Sequence, residues 1–290
     1  MIHDFAYLKP DSLKEALSML SKHKDDECKV ICGGQSLLIL MRQGMIVTDY
    51  LIDIKHIKEL NYIKFSQKDG LRIGATTTHR AIEQSDVIKK HYPALVELEN
   101  RVANIQVRNW GTIGGNLAHA DPAEDPAPLL LAYNASVKVG NAKGERALPL
   151  AEFLVGYFET ALKKDEMLLE VHLPAPDAKT GAAYEKFTLL ENDLGTVSAA
   201  ACVTLDGSGK CKSAKIALGS AAPTAIRIKR AEKILIGKAY SEKSFAEAGK
   251  IASEDCDPVS DIHASEEHRR YVAGVLTKRM LMKAWERAKA

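Results

Sequence analysis

The chain has 290 residues, 46% apolar and 27% charged, with 40 lysines and arginines against 38 aspartates and glutamates. That composition belongs to a globular protein and excludes a disordered or low-complexity chain, while a formal net charge of +2 leaves no basic excess for nucleic acid or a membrane surface. No apolar run approaches the roughly 18 residues needed to cross a bilayer, and Met1-Ile2-His3-Asp4-Phe5-Ala6-Tyr7 has neither a basic flank nor an apolar core, so a cytoplasmic protein without a signal peptide is expected.

The length suggests about two domains. In chain order, residues 12–22 place Leu13, Ala16, Leu17 and Leu20 on one helical face, with Ser12 as N-cap and Glu15 completing a capping box. Residues 28–32 read as a strand, 36–43 as a helix stopped by Gly44, and 50–54 as a second strand, giving a first lobe over 1–55. A second lobe over 56–174 begins with a hairpin of 60–65 and 71–73 turning at Asp69-Gly70. Helices follow at 78–83, 92–102 and 129–133, then a strand at 136–139 turning at 141–144, and a closing strand at 167–173. Pro174-Ala175-Pro176-Asp177 marks the boundary to a third unit over 177–290, because paired prolines break helix and sheet alike. There, 183–190, 197–205 and 212–220 read as three strands, the last two joined by Asp206-Gly207-Ser208-Gly209, and 226–236, 244–253 and 266–285 as helices. Strands followed by helices predict an α+β domain with the helices on one sheet face.

The five cysteines, Cys28, Cys32, Cys202, Cys211 and Cys256, form no C-x-x-C pair and have no histidines at zinc spacing. They read as reduced structural thiols, and neither a metal site nor an iron–sulfur cluster is expected on this chain.

Two glycine-rich segments carry the chemistry: Cys32-Gly33-Gly34-Gln35-Ser36 and Gly111-Thr112-Ile113-Gly114-Gly115-Asn116. Each is expected where a strand-like run meets a helix, leaving bare backbone N–H groups to meet a diphosphate held between the lobes. At the first, the helix beginning near Ser36 adds its positive N-terminus, and Gln35 and Ser36 add side-chain donors; the competing reading is a tight turn capped by Ser36. At the second, Thr112 offers a hydroxyl and Asn116 an amide, and Asp125 is placed to accept bonds from ribose hydroxyls. The third glycine of a nicotinamide fingerprint is missing, although Asp53 lies about 20 residues after Gly33, so a Rossmann site is not indicated.

These residues, with others along the whole chain, resemble the FAD-binding medium subunit of molybdenum hydroxylases, the family of carbon monoxide and xanthine dehydrogenases. The resemblance is carried by Phe5-Ala6-Tyr7-Leu8-Lys9-Pro10, by Cys32 to Leu38, by Ile73-Gly74-Ala75-Thr76-Thr77-Thr78, and by Gln106-Val107-Arg108-Asn109 leading into Gly111 to Asn116. It continues at Pro122-Ala123-x-Asp125, Asp165-Glu166-x-Leu168-Leu169, Tyr184-Glu185-Lys186-Phe187 and Arg269-Arg270-Tyr271-x-Ala273-Gly274-Val275-Leu276. The resemblance implies an α+β fold: a two-lobed FAD-binding domain of the vanillyl-alcohol-oxidase (PCMH) type, then a small C-terminal domain with a three-stranded antiparallel sheet and helices. It further implies that Val30, Ile31, Cys32, Gly33, Gly34, Gln35, Ser36 and Leu37 wrap the FAD diphosphate, and that Gly111, Thr112, Ile113, Gly114, Gly115, Asn116 and Ala118 line its other side. By the same resemblance Asp125 holds a sugar hydroxyl, Val102 and Leu168 pack near the cofactor, and Lys186 approaches the flavin. His79, at a helix start, reads as structural rather than as a covalent anchor. Where many relatives carry alanine this chain has Cys32, and Glu191-Asn192-Asp193-Leu194-Gly195 replaces a segment that in some relatives sets an aromatic over the ring.

By this resemblance the chain is one part of an oxidoreductase complex. A small subunit with two 2Fe–2S clusters and a large molybdopterin subunit are the expected partners, in a dimer of heterotrimers (a heterohexamer). The expected role is electron relay from the clusters through FAD to a terminal acceptor such as NAD, dioxygen or a quinone, with no catalytic side chain on this chain. A stand-alone FAD oxidase or reductase of the same fold is the alternative.

Overall fold

A computed structural model describes residues 3–190 and 192–290; Met1, Ile2 and Glu191 lie outside it, and with them the first two residues of the stretch read as lacking a signal peptide and the first of the 191–195 departure. Strand β1 (Ala6–Leu8), helix α1 (Leu13–Lys22), strand β2 (Cys28–Ile31), helix α2 (Leu37–Arg42) and strand β3 (Tyr50–Asp53) come first. The three strands form a parallel sheet in the order β1-β3-β2. Sequence periodicity passes over β1 because three residues are too few to show alternation. Ser12 caps α1, its Oγ accepting from the Glu15 N–H at 3.2 Å, while the Glu15 carboxylate reaches back to the Asp11 N–H at 2.8 Å, one residue earlier than the expected capping box.

A five-stranded antiparallel sheet follows. Its chain runs through β4 (Ile63–Ser66), β5 (Gly70–Gly74), α3 (His79–Glu83), α4 (Asp86–His91), α5 (Pro93–Glu99), α6 (Ile105–Trp110), α7 (Ile113–His119) and α8 (Pro126–Ala132). It continues through β6 (Ser136–Asn141), β7 (Gly144–Pro149), α9 (Leu150–Phe153), β8 (Leu154–Gly156), β9 (Glu159–Thr160) and β10 (Met167–Leu173). The strand order is β4-β5-β10-β6-β7, with β8 and β9 forming a separate hairpin. Central β10 is almost wholly buried, and it lies between β5 and β6 far from either in sequence.

The remaining chain forms β11 (Thr180–Phe187), β12 (Val197–Leu205), β13 (Cys211–Gly219), β14 (Ile226–Arg227), α10 (Lys229–Lys233), α11 (Glu242–Asp255) and α12 (Glu266–Lys289). The antiparallel sheet therefore has four strands rather than the three expected. Ile226 and Arg227, assigned from sequence to a helix start, pair instead with Leu218 and Ala217; two residues cannot display a strand's period, so the edge was not legible. Every residue of β12 is buried, with small side chains on both faces. Ala199, Ala201 and Val203 pack with Leu276, Leu281 and Trp285 of α12, while Ala200 and Cys202 join the core containing Leu129 and Leu130 of α8. This sheet thus has its own helices on one face and α8 against the other. Among the described residues no helix is long and apolar enough to cross a membrane.

Candidate functional site

The first glycine segment is the bend between β2 and α2. Gly34 sits at φ +69°, the left-handed region that costs a side chain strain and glycine almost nothing. Gly33 is glycine for another reason: a Cβ there would overlap the Trp110 carbonyl oxygen and lie 2.8 Å from the Gly111 Cα. The two segments are therefore in direct backbone contact, although 78 residues of sequence separate Gly33 from Gly111. Gln35 fastens the bend, its Nε2 donating to the Gly33 carbonyl at 3.1 Å.

Around this bend the backbone N–H groups of Gly33, Gly34, Gln35, Ser36 and Leu37 donate to no protein acceptor among the described residues. The Ser36 hydroxyl makes no capping bond, so the competing reading of a turn closed by Ser36 does not hold. Consecutive unpaired donors through a bend and the first turn of α2 are suited to an anion. Val30 is half-buried and Ile31 buried, and both carry backbone into the bend from the sheet. Cys32 is half-buried. Burial pushes its thiol up to about 11, the Thr112 side chain pulling weakly the other way, so it is a neutral packing group at physiological pH.

The second segment differs. It joins two helices, α6 and α7, not a strand and a helix as expected, because residues 105–110 continue a helical turn capped by Asn104. Its N–H groups are largely committed. Ile113 donates to Thr77 O at 3.1 Å, Gly114 to Ala75 O at 3.0 Å, and Asn116 to Thr112 O at 2.9 Å. The Thr112 hydroxyl, expected to serve the ligand, caps α7 by accepting from Gly115 N–H at 3.1 Å. Gly114 is tight against Ala75, whose Cβ would be 2.6 Å from an added Cβ, and Ile113 is fully buried, so both serve packing. Gly115 and Ala118 are exposed and Asn116 half-exposed, on the outer face of α7. Asn116 Oδ1 is buried without a hydrogen-bond partner, an acceptor awaiting a donor.

Other expected contacts fall differently. Asp125 lies just before α8 and is 4% exposed, its Oδ1 accepting from the Tyr184 hydroxyl at 2.6 Å and its Oδ2 from Lys186 Nζ at 2.7 Å. Lys186 Nζ also donates to the Asp193 carbonyl at 2.7 Å. Both carboxylate oxygens and the ammonium thus have partners within the protein, at the two residues expected to meet the ribose and the flavin. Burial raises the Asp125 carboxyl, with Lys186 and Tyr184 holding it partly down, and burial beside Asp125 pushes the Tyr184 phenol well up. Val102 and Leu168 are buried in the main core; they support the region by packing. Sequence reasoning missed Glu99, which is fully buried and pairs with His79; twenty residues apart on different helices, the two give no local signal. A cavity of about 460 Å³ walled by residues such as Pro122, Phe158 and Leu194 includes no residue of either glycine segment.

The residues fit a dinucleotide cofactor: five unpaired N–H groups suit a diphosphate, and the orphaned Asn116 oxygen suits a ligand donor. The comparisons agree. Residues 3–176 match the FAD-binding domain in molybdopterin dehydrogenase, and residues 182–284 match the CO dehydrogenase flavoprotein C-terminal domain. The chain is 38% identical to the 6-hydroxypseudooxynicotine dehydrogenase complex subunit alpha of Paenarthrobacter nicotinovorans, over 98% of this chain and 96% of that one. It is 34% identical to the carbon monoxide dehydrogenase medium chain of Hydrogenophaga pseudoflava, covering 98% of each. A solved structure of that organism's carbon monoxide dehydrogenase superposes with a TM-score of 0.95, covering 99% of both chains. Quinoline 2-oxidoreductase of Pseudomonas putida 86 superposes with a TM-score of 0.93 at 32% identity, covering 100% of both. With both halves matched in order and these relatives covered end to end, the chain belongs to the FAD-binding subunits of the molybdopterin dehydrogenases.

Proposed function

We propose that the chain is the electron-transfer subunit of a multisubunit molybdenum dehydrogenase, standing between 2Fe–2S clusters on a small partner subunit and a terminal acceptor, with the molybdopterin on a large subunit. A dimer of such heterotrimers is part of the same reading, as is a division of the chain into units 1–55, 56–174 and 177–290. The observation that carries it is the set of five unpaired N–H groups at Gly33 to Leu37, pressed against a second segment that offers Gly115, Asn116 and Ala118. Bound FAD supplies the capacity to take up and release electrons singly or in pairs, which no side chain has.

The protein's own contribution is binding and positioning. Residues 33–37 neutralise a diphosphate with dipoles rather than charges, holding it without lysine or arginine. Asn116 offers its oxygen to a donor on the ligand. Ile113, Gly114, Val102 and Leu168 keep the floor beneath the second segment dry. The Tyr184, Lys186 and Asp125 cluster fixes the connection after α7 and, through the Asp193 carbonyl, the 192–195 segment.

The test is purification of the chain alone and with co-expressed neighbours. The expected result is a yellow protein that binds FAD stoichiometrically and, alone, fails to oxidise aldehydes, purines or aromatic heterocycles. Turnover of an organic substrate by the isolated chain overturns the subunit reading in favour of a stand-alone flavoenzyme.

A further inference from the structure

Beneath the seam of the two glycine segments lies a polar pair that the cradle does not account for. His79 begins α3 and Glu99 ends α5; both are buried, and His79 Nδ1 meets Glu99 Oε2 at 2.8 Å. The other carboxylate oxygen, Glu99 Oε1, is sealed from solvent and has no partner. A buried carboxylate with one bond is costly, and such pairs tend to be retained where a ring must be oriented. The backbone of His79 is also fixed to the second segment, its main-chain N–H donating to the Gly111 carbonyl at 3.0 Å. The ring Cδ2 lies 3.2 Å from where a Gly111 Cβ would stand, with the Gln35 Cγ at 3.6 Å from the same point. Gly111 is itself against Gly33, the first of the five unpaired amides. The free ring nitrogen, Nε2, has no partner among the described residues and, unlike Glu99 Oε1, is not shut off from the surface.

Resting on the FAD reading above, we propose that His79, oriented by Glu99, is a further cofactor-binding residue that donates from Nε2 to the diphosphate at the seam between the two glycine segments. With Nδ1 committed to the carboxylate, Nε2 is the one ring nitrogen left for a ligand, and it donates there when the ring carries a proton on both nitrogens. The cradle then combines dipoles from the first segment with one side-chain donor from beneath the second. The absence of lysine and arginine from residues 30–37 and 111–118 leaves that donor without a rival in either segment.

The full-length chain, stripped of flavin, is titrated with FAD and separately with ADP, which shares the diphosphate but has no flavin. His79→Asn keeps an amide near Nδ1 for Glu99 and deletes Nε2; FAD and ADP affinities are expected to fall tenfold or more, with an unchanged flavin absorbance spectrum. His79→Gln, whose amide reaches the Nε2 position, should recover to within about threefold of the wild type. Should His79→Asn fail to fold, Glu99→Gln serves: it removes a buried, half-satisfied charge, so melting temperature should hold or rise while FAD affinity falls. A purely structural pair would move stability and affinity together. FAD and ADP affinities within twofold of wild type in folded His79→Asn overturn the proposal, as does a weakened FAD titration with ADP unaffected. A wild-type chain that takes up no FAD would refute the cofactor reading itself.

Discussion

At the bend after β2, five consecutive backbone N–H groups face no acceptor, whereas at the bend before α7 the equivalent groups reach Ala75, Thr77 and the Thr112 hydroxyl. Both segments contain a Gly-Gly pair, yet only the first is open. In the second, Gly114 is small so that Ala75 can approach, and only Gly115 faces outward. Glycine at a junction thus has two meanings, bare backbone for a ligand and close approach for packing, and the destination of the N–H group distinguishes them.

The contrast can be broken most forcefully at its point of contact. Gly33→Ala drives a methyl into the Trp110 and Gly111 backbone, which cannot swing aside as a side chain would; a loss of about 3 kcal/mol or more is expected, with loss of flavin, in chemical denaturation and flavin content. Wild-type melting would show that the seam is loose. Next comes the pair within the second segment. Gly114→Ala should cost about 2 kcal/mol against the Ala75 backbone, while Gly115→Ala, whose Cβ would stand 2.9 Å from the capping Thr112 hydroxyl, should cost about 1 kcal/mol and show its larger effect in weakened FAD binding. A third comparison sets the two hydroxyls against each other. Thr112→Ala removes a helix cap worth about 1 kcal/mol, and Ser36→Ala, which removes no cap, should be nearly silent in stability yet lower FAD affinity several-fold. Equal effects on melting would erase the distinction drawn between the segments.

The mildest probe is a pH profile just beyond α7. Glu124 is buried, its carboxyl makes no hydrogen bond among the described residues, and burial beside Asp121 and Asp125 holds its titration well above the usual 4.5. The native state therefore keeps that proton more tightly than the unfolded chain. Its contribution is whole below the unfolded value and declines as pH rises through the native one. Glu124→Gln should match wild type near pH 4 and become relatively more stable as pH rises, in melting curves taken across that range.

Much of this was legible beforehand because it is local. Period-3.6 apolar spacing located α1, and the Asp206 to Gly209 turn located the β12–β13 hairpin. What escaped were features made by distant partners. β1 exists through pairing with β3, and β14 through pairing with β13. The bonds of Asp125 to Tyr184 and Lys186 gave no local sign because about sixty residues separate the partners, and the Trp110 carbonyl that requires glycine at 33 is equally invisible in a local window. Residue type announces a capacity for contact; only the tertiary structure says whether that capacity is already used.

The bond from Asp125 to Tyr184 and Lys186 crosses the line between the two family matches, which end and begin at residues 176 and 182. So does the largest apolar cluster, which runs from Leu129 and Leu130 to Ala182, Ala200, Cys202 and Ala217. A truncated protein ending at 176 would strand a buried carboxylate and bare the underside of α8, so the two halves are not interchangeable modules. Whatever exchange of parts occurs among relatives must replace both faces of that joint together.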